Sequence, residues 1–295
     1  MVFYGNFCKK ILVFFCCFVL MTTGVSCTTP TANQRLTIVS SFYPVYITVL
    51  NLTEGIGDVN VINLTPYTTG CLHDYQLTTQ NMKTLETAHI FVQNGAHMES
   101  FTDKVVQNCP ELTIIEACKD IETLEHNPHI WLSFTPYMQY VKNIAHGLMT
   151  ADPAHATQYE NNMHIYLQKI QALKEDAAQT LDNLPSRDMI IFHEAFPYFA
   201  KEFDLNIVAT IEREPDEAPV AKELAETCDI IKETGCSVLF AEPDYSQAAI
   251  DVIARETGAT IHILDPITTN RHGNTKDAYL LAMAQNVKTL KEALS

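Results

Sequence analysis

The chain has 295 residues, 47% of them hydrophobic, and a formal net charge of −16 at pH 7. A chain of this length and composition can bury a large core, which excludes an intrinsically disordered protein and leaves room for two compact domains. The excess of acidic residues argues against nucleic acid and anionic membrane surfaces as partners, because both carry the same sign of charge as the protein.

The first 26 residues have the three parts of a secretory signal peptide. Lys9 and Lys10 precede the apolar run ILVFFCCFVLM at 11–21, and the small and polar residues TTGVSC follow it. The run is shorter than the stretch of about 20 residues that a membrane-spanning helix needs. We therefore expect residues 1–26 to direct export and to be removed.

The end of this segment resembles the lipidation box of bacterial lipoproteins. Cys27 stands at the position of the lipidated cysteine in that box, after Ser26. The polar stretch that follows suits a tether, so we expect a lipid-anchored tether at residues 27–34. The alternative is an ordinary secreted or periplasmic protein in which Cys27 has no role.

Five cysteines remain beyond Cys27, and their pairing is open. They lie in no CxxC pair, which excludes a cysteine zinc ribbon. Export permits disulfides, but the sequence does not specify the connectivity. The five are Cys71, Cys109, Cys118, Cys228 and Cys236.

Short β-rich runs alternate with helical patterns along the rest of the chain. Such alternation indicates parallel sheets with crossover helices. The predicted strands lie at 35–41, 59–65, 89–95 and 111–117 in the first half and at 188–194, 205–211, 236–242 and 259–265 in the second.

One long helical pattern separates the two halves. It starts after Asp152, a candidate cap, with Pro153 in its first turn, and it ends at Pro185. About 30 helical residues span ~45 Å, which exceeds a small domain. We predict an α/β fold of two (β/α)4 domains with parallel sheets, joined by this helix. The predicted boundaries are 35–150 for the N-terminal domain, 151–185 for the linking helix and 186–295 for the C-terminal domain.

Three histidines and one aspartate lie at the carboxyl ends of predicted strands or in the loops that follow them. His73 and His129 follow strands of the first half, while His193 and Asp265 close strands of the second. Ligands of open α/β sheets bind beyond the carboxyl ends of the strands, so we expect these four side chains to meet. Three imidazoles and a carboxylate fill a tetrahedral shell and suit zinc better than manganese, which prefers more oxygen ligands.

These residues lie in segments that resemble those of a known family. The chain over about residues 35–295 is similar to the metal-binding, solute-binding lipoproteins of bacterial ABC importers for zinc and manganese. The resemblance implies the same two-domain fold, with His73, His129, His193 and Asp265 as ligands of a metal between the domains. The segments are CLHDYQLT (71–78), NPHIWLS (127–133), FHEAFPYFAKEF (192–203) and LDPI (264–267).

The resemblance also implies a function. A protein of this kind captures a divalent metal outside the cytoplasm and delivers it to the membrane permease of an ABC importer, and we expect this chain to act as a monomer. His193 points to zinc, since manganese-binding relatives tend to carry glutamate there, although Glu194 is adjacent. We expect modest rearrangement on release, with the loops of His73 and Asp265 as the moving parts.

Two other functions stay open at this level. A zinc-dependent hydrolase needs an open coordination position and a base, for which Glu194 is a candidate if Asp265 is not a ligand. The HExxH motif itself fails, because Pro197 occupies the place of its second histidine. A surface adhesin with a structural metal is the other alternative. We expect His126 to be a bystander.

Overall fold

A computed structural model describes residues 35–73, 75–211, 220–243 and 245–295. The predicted signal peptide, the tether and the lipidation site Cys27 lie outside these residues. Arg35–Ser295 form one compact unit. Within the described part of the chain, no helix combines the length and the apolar character needed to cross a membrane.

The N-terminal half contains a parallel four-stranded sheet in the order β2-β1-β3-β4. Its inner strand β1 is buried because helices cover both faces: Ile38 and Val39 are fully enclosed. Its strands are β1 (Leu36–Ser40), β2 (Val59–Asn63), β3 (Ile90–Gln93) and β4 (Thr113–Glu116), and its helices are α1 (Tyr43–Leu52), α2 (Thr79–Glu86), α3 (Thr102–Asn108) and α4 (Phe134–Ala151).

The C-terminal half repeats this topology with the order β6-β5-β7-β8, again all parallel. The two-sheet α/β architecture predicted from the alternating pattern is confirmed, and each observed strand lies inside its predicted range. The strands are β5 (Asp188–Ile191), β6 (Asn206–Thr210), β7 (Val238–Ala241) and β8 (Thr260–Ile263), and the helices are α6 (Pro197–Glu202), α7 (Ala221–Thr234), α8 (Gln247–Thr257) and α9 (Ala278–Ala293).

The long helix between the halves is α5 (Ala156–Leu181), preceded by a 3₁₀ turn at Pro153–His155. It packs against α1 and α4 of the first half and α9 of the second. Asp152 does not cap it: the carboxylate instead accepts hydrogen bonds from the side chains of His155 (2.7 Å) and Tyr159 (2.8 Å). The proline turn at the start displaces the carboxylate from the helix N–H groups.

A buried aromatic contact joins the two halves. Tyr137 of α4 stacks on Tyr279 of α9 with ring centroids 3.9 Å apart. The Tyr279 hydroxyl donates to the carbonyl oxygen of Trp131 (2.9 Å), and Trp131 Nε1 donates to the carbonyl oxygen of Pro266 (2.8 Å). Trp131, the chain's only tryptophan, therefore ties the segment after β4 to the loop after β8.

Helix α4 is capped by a side chain from the other half of the molecule. The Glu202 carboxylate at the end of α6 accepts hydrogen bonds from Phe134 N (2.7 Å), Thr135 N (3.1 Å) and the Ser133 hydroxyl (2.5 Å). Burial alone would raise the pKa of Glu202, but these donors and Lys174 outweigh it and lower the pKa. This cap anchors α4 directly behind the segment that carries His129.

Candidate metal-binding site

His129 lies in the turn between β4 and α4, where Asn127 and Pro128 shape the chain. The Asn127 side-chain oxygen accepts from the backbone N–H of His129 (2.9 Å) and lies 2.9 Å from its Nδ1 atom. An amide oxygen cannot donate, so Nδ1 carries the proton and Nε2 is left with a lone pair. The geometry thus orients Nε2 as a ligand.

The environment of His129 keeps its ring neutral. The residue is only 2% exposed. Burial lowers its pKa well below the ordinary histidine value, and the neighbouring rings of His193 and His73 lower it further. A neutral imidazole is the form that binds a metal ion, so this site does not have to displace a proton from His129.

His193 stands just beyond β5 and is oriented by a carboxylate. Its Nδ1 atom lies 2.5 Å from Oε1 of Glu242, which follows the neighbouring strand β7, and both residues are buried. A carboxylate that accepts a hydrogen bond from Nδ1 orients Nε2 toward a metal and makes the imidazole a stronger metal ligand. Sequence reasoning missed Glu242, although its position after a strand is the same signal that marked the ligands.

The loop between β2 and α2 brings His73 and Cys71 to the same place. The ring centroid of His73 lies 5.5 Å from that of His129, which lies 4.8 Å from that of His193. The Sγ atom of Cys71 is 3.4 Å from His129 Nε2. One ligand atom from each of the four residues can be chosen so that all lie within 4.8 Å of one another.

These four residues have the donor set of a transition-metal site. Ligand atoms around one tetrahedral zinc ion are separated by roughly 3.3–3.8 Å, so only a small contraction would close the shell. Two members, His129 and His193, are buried, while Cys71 and His73 are partly exposed. Sequence reasoning left Cys71 among the five cysteines of open pairing and did not name it as a ligand. Among the described residues, the five cysteines form no disulfide with one another.

Asp265 is not part of this group of described residues. Its Oδ1 atom accepts from Ile267 N (2.7 Å) and its Oδ2 atom lies 3.3 Å from His272 Nε2. Asn286 holds its backbone from both sides, with two hydrogen bonds of 2.8 Å. Burial raises the pKa of Asp265, although Ile267, His272 and Arg271 oppose the shift. Its predicted role as a ligand stays a prediction.

The other residues considered from the sequence lie outside the group. Glu194 is exposed, and its backbone oxygen accepts a hydrogen bond from the Asn127 side chain (2.7 Å). His126, which we expected to be a bystander, is also exposed. Among the described residues, His193 is therefore the residue after β5 that contributes a ligand atom to this group.

Comparison with known proteins identifies relatives over most of the chain. The family model for the periplasmic component A of zinc-uptake complexes, ZnuA, matches residues 38–293. The high-affinity zinc uptake system protein ZnuA of Bacillus subtilis is 28% identical, and the alignment covers 94% of this chain and 95% of that protein. The zinc-binding lipoprotein AdcA of Streptococcus pneumoniae is 27% identical over 88% of this chain, which spans only 56% of AdcA.

Solved structures show the same fold. The solute-binding protein FpvC of Pseudomonas aeruginosa, in complex with Ni²⁺, superposes with a TM-score of 0.78 at 28% identity, covering 88% of this chain and 97% of that one. The Zn(II)-bound AdcA structure from S. pneumoniae has a TM-score of 0.78 at 27% identity and covers 88% of this chain and 58% of that one. The protein described here belongs to the family of periplasmic A components of zinc-uptake complexes.

Proposed function

We propose that this protein captures zinc outside the cytoplasm and delivers it to the permease of an ABC importer. The observation that carries the proposal is the convergence of three histidines from three separate loops, His73, His129 and His193, with a thiol beside them. Two of the three rings, those of His129 and His193, are held at Nδ1 by buried partners. Family membership favours transport over a hydrolase or an adhesin.

Zinc fits this donor set better than manganese does. Imidazole and thiolate are borderline to soft ligands that suit zinc, whereas manganese favours carboxylate and carbonyl oxygen. AdcA has been solved with Zn(II), and FpvC has been solved with Ni²⁺ and with Mn²⁺, so the fold accommodates several metals. The chemistry of the ligands in this chain is therefore the argument for zinc.

A binding role also fits the surroundings of the site better than catalysis does. A zinc hydrolase needs a base beside an open coordination position. Glu194, the candidate base, is exposed and outside the group of ligand atoms. We infer that the protein is not an enzyme and that zinc is its cargo.

The location and the partners follow from the same proposal. We infer that Cys27 anchors the protein to the outer face of the cell membrane and that a single copy of the chain meets the permease. AdcA is named a lipoprotein, and the leader at 1–26 supports export of this chain. Labelling of growing cells with a fatty acid should mark the wild-type protein and leave Cys27→Ala unlabelled.

Metal binding itself is tested by zinc titration of the exported chain. We expect one zinc per chain by elemental mass spectrometry, and competition with a chelator should give an affinity that His129→Ala lowers more than about 100-fold, beyond the usual cost of losing a supporting residue. His126→Ala is the matched control, because its ring lies in the same segment but is exposed. Equal affinities in the two variants would contradict the proposal.

A further inference from the structure

We propose that Cys71 supplies the fourth ligand as a thiolate, in place of the carboxylate of Asp265. The inference rests on the proposed function, because it names the coordination shell of the same cargo ion. It also assigns a specificity to the chain: a site of three imidazoles and one thiolate favours zinc and disfavours manganese.

The distance between the Cys71 sulfur and the His129 imidazole matches shared coordination of one ion. A sulfur about 2.3 Å and a nitrogen about 2.05 Å from one tetrahedral zinc are roughly 3.6 Å apart. The Sγ atom of Cys71 lies 3.4 Å from Nε2 of His129. Nε2 is the nitrogen that the Asn127 hydrogen bond leaves available, so both atoms face the position of the ion.

The local chain explains why Cys71 and His73 act together. Leu72, between them, is fully buried and anchors the loop in the core, whereas Cys71 and His73 are only partly buried and lie beside His129 and His193. Gly70 has φ +72°, a conformation that side chains other than glycine rarely adopt, and lets the chain turn directly before Cys71. The pair is thereby presented to His129 and His193.

Asp265 is committed elsewhere. Both carboxylate oxygens already have partners in Ile267 and His272, and Asn286 holds the backbone on either side. The next residue, Pro266, accepts the indole hydrogen bond of Trp131. Moving Asp265 to the ion would break its contacts with Ile267 and His272. It would also disturb Pro266, whose carbonyl joins this loop to Trp131 of the other half.

Coordination of zinc by Cys71 releases one proton. Zinc binding converts the Cys71 thiol to a thiolate, the S–H proton passes to solvent, and an S–Zn bond forms. The imidazoles of His73, His129 and His193 coordinate as neutral rings. A shell closed by a thiolate carries the same charge as one closed by a carboxylate. The two shells therefore differ in the chemical softness of the fourth ligand and not in charge.

Cobalt substitution tests the assignment, because a thiolate bound to Co²⁺ gives a near-ultraviolet charge-transfer band that nitrogen and oxygen ligands do not give. The exported chain is loaded with Co²⁺ under a phosphine reductant, and zinc and manganese affinities are measured in parallel. We expect the band in the wild type and in Asp265→Ala, and its loss in Cys71→Ser. Cys228→Ser, a buried cysteine of α7, is the matched control and should keep the band.

The affinities give a second readout. We expect Cys71→Ser to weaken zinc by at least tenfold and manganese by much less, so that the preference for zinc falls by a similar factor. A wild-type spectrum without the band would overturn the inference while zinc binding upheld the proposed function. A band together with strong zinc loss in Asp265→Ala, at the stability of the wild type, would make Asp265 a ligand and contradict its replacement by Cys71. Failure of the wild type to bind any metal would overturn the proposed function itself.

Discussion

The two sides of the metal site are built differently. On one side, His129 and His193 are buried, and each has a hydrogen-bonding partner at Nδ1, supplied by Asn127 and Glu242. On the other side, Cys71 and His73 are partly exposed on one loop. If the four residues form the proposed shell, its buried half is assembled before metal arrives, and we expect the partly exposed loop to close on the ion and to open for release.

The side of the site that contains the buried His129 and His193, here called the fixed side, includes further residues. Trp131 lies behind His129 with ring centroids 5.2 Å apart, and it bonds to the loop after β8. Asp265 belongs to this side as well, because Asn286 holds its backbone. From the sequence we expected the loops of both His73 and Asp265 to move. The contacts favour the His73 loop alone as the moving part, a small local rearrangement rather than a domain rotation.

The largest effect should come from the aromatic support of the fixed side. Trp131→Ala removes a fully buried ring that packs against Phe42 at 5.3 Å. We expect a loss of about 3–5 kcal/mol in the free energy of unfolding, the usual range for deletion of a large buried aromatic. Urea unfolding followed by circular dichroism measures it, and Trp131→Phe should cost less. A loss below about 1 kcal/mol for Trp131→Ala would show that the support is not what fixes this side.

The loop side has its own anchor, Leu72. Leu72→Ala deletes a fully buried side chain between the two loop ligands, and we expect it to cost about 2–4 kcal/mol of stability. Zinc affinity should fall too, because Cys71 and His73 lose their shared support. Leu281→Ala, an exposed leucine of α9, is the control and should change neither quantity. Wild-type zinc affinity in Leu72→Ala would mean that the loop positions its ligands without this anchor.

A substitution at Glu242 tests whether the orientation of the His193 ring affects zinc affinity without affecting the fold. Glu242→Gln keeps the shape of the side chain but weakens the acceptor for the Nδ1 proton of His193. We expect zinc affinity to fall about 10- to 100-fold, with the same fold by circular dichroism. Glu194→Gln, adjacent to His193 but exposed, should bind zinc like the wild type. If both variants bound zinc equally, orientation by Glu242 would be irrelevant.

The smallest effect should be the pH-dependent one at Glu202, which caps α4. Its pKa in the folded protein lies below the ordinary value of 4.5. The ionised cap therefore stabilises the fold above pH 4.5, and this contribution is lost as the pH falls through the lowered pKa. We expect Glu202→Gln to cost about 1–2 kcal/mol at neutral pH and nothing in strong acid.

Unfolding midpoints from pH 7 down to pH 3 measure this dependence on Glu202. Glu233→Gln, an exposed residue of α7, is the control and should parallel the wild type at every pH. A gap between the wild type and Glu202→Gln that stayed constant through this range would contradict the role of the ionised carboxylate.

Most of the fold could be predicted from the sequence because the signals for strands and helices are local. All eight strands lie inside their predicted ranges, since β-rich runs bounded by helical patterns depend on neighbours in the chain. The meeting of His73, His129 and His193 could be expected because strand ends are predictable and ligands of open α/β sheets bind beyond the carboxyl ends of the strands. The resemblance to a family supplied the same residues by a second route.

What could not be predicted depends on distances across the molecule. Glu202 caps a helix 68 residues earlier in the chain, and Glu242 reaches His193 from a neighbouring strand. The approach of Cys71 to His129 and the commitment of Asp265 to Ile267 likewise follow from tertiary packing. No spacing in the sequence specifies which of two nearby donors faces the ion.

Zinc K-edge X-ray absorption of the loaded protein measures the coordination shell of the ion itself. The imidazoles of His73, His129 and His193 and the thiolate of Cys71 predict a first shell of three nitrogens at about 2.0–2.1 Å and one sulfur at about 2.3 Å. Multiple scattering from the imidazole rings should accompany the nitrogens. A shell of oxygen and nitrogen alone, or one with fewer than three imidazoles, would contradict the account.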